Sequence, residues 1–125
     1  MKDPEPLLRA ISDLEGVLFQ CVSIVAENAE DHRREMIQIR RSLTQQTSDV
    51  LALGLETFED EESREAFRAS HSKLRTAIAL HQSSWPLSSF KPDDPSYEAS
   101  LRGMRIAYED FIASVRATLR KAGRS

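Results

Sequence analysis

The chain has 125 residues, of which 40% are hydrophobic and 30% are charged, and its 17 basic and 20 acidic side chains give a net charge of −3. The length suits a single domain, residues 1–125, that can bury a core without disulfides or metal ions. Because basic and acidic residues are interspersed, the chain lacks the positive charge expected of a nucleic-acid binder. We therefore expect no nucleic-acid partner.

The cysteine content and the apolar runs bear on the cellular location of the protein. Cys21 has no second cysteine with which to form an internal disulfide. The opening residues, MKDPEPLLRA, do not resemble a secretory signal peptide. The longest uninterrupted apolar run covers residues 50–55, far short of the roughly 20 residues that cross a bilayer. We expect a cytoplasmic protein without a membrane partner.

The first half of the chain predicts two amphipathic helices, at about residues 4–29 and 32–57. Asp3 and Pro4 suit the N-cap and first-turn positions of the first helix. In both segments, apolar residues recur at alternating intervals of four and three, which is the spacing of a seam that faces a helix bundle. The two seams are Leu7, Ile11, Leu14, Leu18, Cys21 and Val25, and then Met36, Ile39, Leu43, Thr47 and Val50.

The second half predicts two more helices, at about residues 61–84 and 95–122. Acidic residues at 60–62 complement the dipole of the third helix, and Pro86 stops it. Its seam is Phe67, His71, Leu74, Ile78, His81 and Trp85, and that of the fourth helix is Tyr97, Leu101, Met104, Tyr108, Phe111, Val115 and Leu119. No segment shows the strict alternation of a strand, so the fold class is all-α. Short connections favour an antiparallel, up-down-up-down four-helix bundle.

The boundary between the first two helices is the least marked. The stretch AENAEDHRRE contains neither Gly nor Pro and could remain helical. A turn is favoured because the apolar stripe resumes in a different phase at Met36, and because Asn28 and Asp31 resemble a short capping box. The alternative is one continuous helix, whose two halves could be buried only by dimerisation.

Two histidines on the third seam are the most unusual feature of the sequence. His71 and His81 are ten residues apart, so about 15 Å separates their backbones on one helix and they cannot share a metal ion. The ligand spacings of a bundle metal site, such as Glu-x-x-His on two helices, are absent. We expect neither a metal nor another cofactor.

The preferred interpretation of both histidines is structural. Antiparallel folding places His71 at the level of Gln46, Thr47 and Tyr108, where it would form a buried polar layer that fixes the register of the helices. His81 falls at the level of Cys21, in a second layer.

The alternative is that one of these histidines binds a ligand or metal, or relays a phosphoryl group. Phosphotransfer domains are four-helix bundles in which a reactive His is followed by Lys three residues later and then by Gly. In this chain Lys73 follows His71 one position too early, and the Gly is missing.

The second helix carries two candidate partner surfaces. Four arginines, Arg33, Arg34, Arg40 and Arg41, occupy an arc opposite its seam. They could dock an acidic partner, or form a solvated face paired with nearby carboxylates. Further along, Leu51, Leu55 and Phe58 recur at helical spacing on the outer side. They indicate either a self-association interface or residues that fold back over the end of the bundle.

The motif content points away from catalysis. No nucleophile–base pair, Gly-rich phosphate loop or zinc-knuckle spacing occurs in the sequence. We therefore expect no enzyme activity. The sequence favours a non-catalytic interaction or regulatory module, either a homodimer or an adaptor that binds a protein partner. The alternative is a bundle that binds a ligand or metal through its histidines, or acts in phosphotransfer through His71.

Overall fold

A computed structural model describes residues 1–23, 29–86 and 94–123. They form four α-helices: α1 (Glu5–Ser23), α2 (Ala29–Thr57), α3 (Glu61–Ser84) and α4 (Pro95–Gly123). No strand occurs within these ranges. The predicted all-α bundle is therefore confirmed. None of the four helices, as far as they are described, has the length and apolar character that a membrane crossing requires.

The four helices form a ring in which neighbours along the chain are neighbours in space. The closest packing lies within two hairpins, α1 with α2 and α3 with α4, and the hairpins meet along α2–α3 and, most loosely, along α1–α4. The Lys2 amide donates to the Thr57 carbonyl at 2.9 Å, so the start of α1 meets the end of α2. This hairpin excludes the alternative of one continuous helix. Asn28 of the expected capping box lies outside the described residues.

The predicted seam residues face the interior of the ring, except Val25, which lies outside the described residues. Leu7, Leu14, Val50, Phe58, Phe67 and Leu74 are fully buried. Burying one such side chain contributes about 1.5–3 kcal/mol relative to leaving it exposed. At the end of the bundle that holds the 57–61 connection, the Phe67 ring centroid lies 5.7 Å from that of Phe58 and 6.0 Å from that of Phe111. Three aromatic rings therefore close this end.

Local signals set the bounds of α3. The Asp60 carboxylate accepts a hydrogen bond from the Ser63 amide at 2.9 Å, as an N-cap does. The helix ends at Ser84, just before Pro86, which cannot donate a backbone hydrogen bond. The observed range matches the expected one. By contrast, α2 begins at Ala29, three residues earlier than expected.

Candidate functional site

His71 is held inside the bundle by a backbone carbonyl. It is 4% exposed, and its Nε2 lies 2.9 Å from the carbonyl oxygen of Thr47. A carbonyl only accepts, so the neutral ring carries its proton on Nε2 and donates it. Burial lowers the pKa of His71, which the bond to Thr47 partly opposes. A phosphoacceptor must reach a partner protein, so this arrangement gives the phosphotransfer alternative no support.

The expected layer around His71 is smaller than the sequence indicated. Thr47 is buried beside it, and its hydroxyl donates to the Leu43 carbonyl at 2.6 Å. Gln46 is half-buried and lines a depression between α1 and α2. The Tyr108 hydroxyl donates to Glu15 of α1 at 3.0 Å. The structure therefore brings His71 and Thr47 together and directs Gln46 and Tyr108 elsewhere.

The positive charge of Arg40 acts electrostatically on both His81 and Cys21. His81 is buried, its Nδ1 lies 2.6 Å from the Ser100 hydroxyl oxygen, and its ring centroid lies 5.6 Å from that of Tyr97. Burial and the Arg40 charge lower the pKa of His81 to about 4. Burial raises the pKa of the Cys21 thiol to about 11, which Arg40 partly opposes.

Arg40 does not belong to an outer arginine surface. It is half-buried, and its Nη2 donates to the Trp85 carbonyl at the end of α3, whereas Arg33, Arg34 and Arg41 are exposed. The expectation that all four share one exposed arc is wrong for Arg40. On α2 it sits next to the seam residue Ile39, and its long side chain reaches across to α3 while its aliphatic stem covers apolar surface.

The apolar residues at the end of α2 are occupied within the chain. Phe58 is fully buried against Phe67, and Leu51 and Leu55 are half-buried and packed against the core. Phe58 therefore belongs to the core, contrary to its expected place on a partner surface. The physical reason is that α2 ends at Thr57, so Phe58 lies in the turn and points back over the end of the bundle.

A second candidate site lies between α1 and α4. It is a groove of about 320 Å³ with a mainly apolar lining. We call it the α1–α4 groove. Its lining residues are Glu15, Leu18, Phe19, Leu101, Met104, Arg105, Tyr108 and Glu109. This groove was not predicted from the sequence.

The groove exists because α1 and α4 pack more loosely than the other neighbouring helices. The hydrogen bond from Tyr108 to Glu15 spans it. Leu8, Glu15 and Phe19 follow one another by seven and four residues, so they share one flank of α1, on which Glu15 and Phe19 line the groove. Leu8 is 40% exposed and Phe19 is 68% exposed. The sequence signal for this flank is an apolar residue directly after a seam residue, namely Leu8 after Leu7 and Phe19 after Leu18.

The charges around the groove are of both signs. Glu15 and Glu109 contribute carboxylates, and the Arg105 Nε lies 3.3 Å from a Glu109 oxygen. Arg116 joins Glu15 and Glu109 in the next depression along the same seam. The apolar lining is therefore bordered by paired acidic and basic groups, the usual arrangement of an apolar interface centre with a polar rim.

The described residues hold no metal-binding arrangement: no group of three or more His, Cys, Asp and Glu side chains among them could hold an ion. The chain was also compared with known proteins. No protein-family model, no curated protein and no solved structure matches it.

Proposed function

We propose that this protein is a non-catalytic interaction module that forms a homodimer through the α1–α4 groove. The observation that carries the proposal is Phe19, an aromatic side chain that is 68% exposed at the wall of an apolar groove. Aromatic side chains set in pockets are the residues that dominate binding energy at protein interfaces. Covering this ring, together with Leu8 about three turns away on the same flank of α1, removes apolar surface from water.

The charge pattern supports a second copy of the chain as the occupant. In a two-fold symmetric interface each surface meets itself, so it must be self-complementary. The groove border carries Glu15 and Glu109 together with Arg105 and Arg116. An antiparallel second copy can place its arginines opposite these carboxylates. A border of one sign would repel its own copy and would favour an oppositely charged partner instead.

The proposal includes neither a nucleic-acid nor a membrane partner. The basic side chains that border the groove are accompanied by carboxylates, which weakens attraction to a phosphate backbone or an anionic membrane. We place the module in the cytoplasm, since Cys21 is a buried free thiol, as is usual in a reducing compartment. A regulatory role would follow from control of dimer formation.

Sedimentation equilibrium of three proteins tests this function. The wild type should have twice the 14.2 kDa mass of the chain. Phe19→Glu should give the monomer mass with an unchanged helical circular dichroism spectrum, because it places a charge in the interface centre. Leu80→Glu is the matched control, since Leu80 is 66% exposed on α3 and its substitution should leave the dimer intact. A wild type that stays monomeric at high concentration, or an equal loss in both variants, would contradict the proposal.

A further inference from the structure

A cluster of polar side chains with one member from each helix lies at the end of the bundle opposite the three aromatic rings. Its members are Cys21, Arg40, His81 and Tyr97. His81 and Tyr97 are in ring contact, Trp85 packs edge-on against Tyr97 at 5.3 Å, and Arg40 bonds to the Trp85 carbonyl. The cluster is distinct from the α1–α4 groove, whose lining includes none of these residues.

Arg40 is a cation whose acidic neighbours are neutral. Its Nε is buried and has no hydrogen-bond partner among the described residues. The acidic groups that act on it are the Tyr97 hydroxyl and the Cys21 thiol. Burial raises their pKa values to about 12 and about 11, so both are protonated at neutral pH. Within the part of the chain that the structure describes, no anion compensates the half-buried guanidinium, and burial penalises its charge.

His81 provides a second polar atom without a partner. It is 5% exposed, and its Nε2 is buried with no hydrogen-bond partner in the ranges 1–23, 29–86 and 94–123. Its Nδ1 is bonded to the Ser100 hydroxyl. When that hydroxyl donates to Nδ1, the neutral ring carries its hydrogen on Nε2 and becomes a donor there. Two donors, one of them charged, are then available within electrostatic range of each other.

We propose that Arg40 and His81 bind the carboxylate group of a small organic acid beside the rings of Trp85 and Tyr97. A guanidinium presents its N–H groups in a planar fork that matches a carboxylate. The charge count selects this anion: one carboxylate neutralises one guanidinium, whereas a phosphate dianion would leave a net negative charge in a largely buried place. Arg40 and Trp85 are only half-buried, so an anion would approach the two donors from their side.

Trp85 gives the test a built-in probe, because it is the one tryptophan of the chain. Sodium acetate is titrated against the wild type at constant ionic strength while Trp85 fluorescence and the Arg40 Nε–H resonance are recorded. We expect a saturable change with acetate and none with acetamide, its neutral analogue. Arg40→Gln should abolish the response, and Arg41→Gln, on the exposed side of the same helix, should retain it.

Other outcomes would overturn the proposal. A flat acetate titration, or an equal response in Arg40→Gln, would show that these residues bind no carboxylate. Saturation by inorganic phosphate at a lower concentration than by acetate would show that the anion class is wrong.

Urea unfolding tests the same site independently of Arg40→Gln, whose substitution could alter the packing around it. In chloride buffer, Arg40→Met should unfold at the same or a higher urea concentration than the wild type, because it removes a half-buried charge that no anion among the described residues neutralises, which outweighs the lost bond to the Trp85 carbonyl. Acetate should raise the midpoint of the wild type only. A clearly lower midpoint for Arg40→Met would show that contacts within the chain already offset the cost of burying the Arg40 charge, and would overturn the proposal.

Discussion

The ring of Phe67 on α3 occupies the space that a side chain at Gly54 on α2 would fill. A Cβ placed on Gly54 would overlap ring carbons Cε2 and Cζ and would lie 2.7 Å from Cδ2. The ring is fully buried between Phe58 and Phe111, so it has little room to move aside. The absence of a side chain at Gly54 therefore allows α3 to pack against α2 at this level.

Gly54→Ala should destabilise the protein, although Ala is the better helix former. Helix propensity favours Ala by about 1 kcal/mol, but overpacking a core typically costs about 1–3 kcal/mol, so we expect a net loss of up to about 2 kcal/mol. Gly103→Ala on α4 is the control, because its Cβ would have no heavy atom within 4 Å, and it should be neutral or stabilising. Urea unfolding measures both. A stabilised Gly54→Ala protein would show that the two helices do not meet this closely.

His81 should make the fold sensitive to acid. Its pKa is lowered from 6.5 to about 4 in the folded protein, so below pH 6.5 the unfolded chain takes up a proton that the folded chain does not. The contribution of His81 to stability is complete above pH 6.5 and declines as the pH falls toward about 4. The total loss is at most about 3 kcal/mol.

His81→Gln should remove the acid-dependent contribution of His81 to stability, while leaving a side chain that can hydrogen-bond to Ser100. The free energy of unfolding, measured by urea at pH 7 and pH 4.5, should fall less for the variant than for the wild type. Carboxylates titrate in both proteins and cancel in the comparison. Equal losses in the two proteins would mean that His81 is already protonated, or solvated, in the folded state.

Tyr108→Phe should weaken the contact between α1 and α4. The hydroxyl donates to the Glu15 carboxylate at 3.0 Å and spans the loosest seam of the bundle. A hydrogen bond to a charged group contributes about 1.5–3 kcal/mol at most, and the partial exposure of this pair reduces the expected loss to about 1 kcal/mol. Glu15→Gln keeps an acceptor and should cost less. Thermal unfolding ranks the two variants, and the reverse order would show that the bond is not made.

Much of the fold follows from sequence because several signals agree. Around α3, the Asp60 cap, the seam from Phe67 and the stop at Pro86 all indicate the same range. The seam spacing also places His71 inside, since a helical period fixes which side chains share a face. The start of α2 was missed by three residues, because the residues before Met36 are polar and mark no seam.

The polar cluster around Arg40 and the α1–α4 groove were harder to predict, because both depend on distances between helices. Arg40 and Ile39 are neighbours in sequence, and only the position of α3 shows that the Arg40 side chain bonds to the Trp85 carbonyl. The α1–α4 groove depends likewise on how loosely the first and last helices pack. Periodicity assigns a residue to a face of its own helix, but it does not give the width of the gap that the face borders.

Whether the α1–α4 groove is the dimer interface can be measured by a dilution series of ¹H–¹⁵N NMR spectra. We expect concentration-dependent shifts at the groove residues, with Glu15, Phe19 and Arg105 among the most affected, and none at Leu80 on the outer side of α3. Spectra that do not change over the dissociation range, or shifts confined to the outer face of α2, would contradict it.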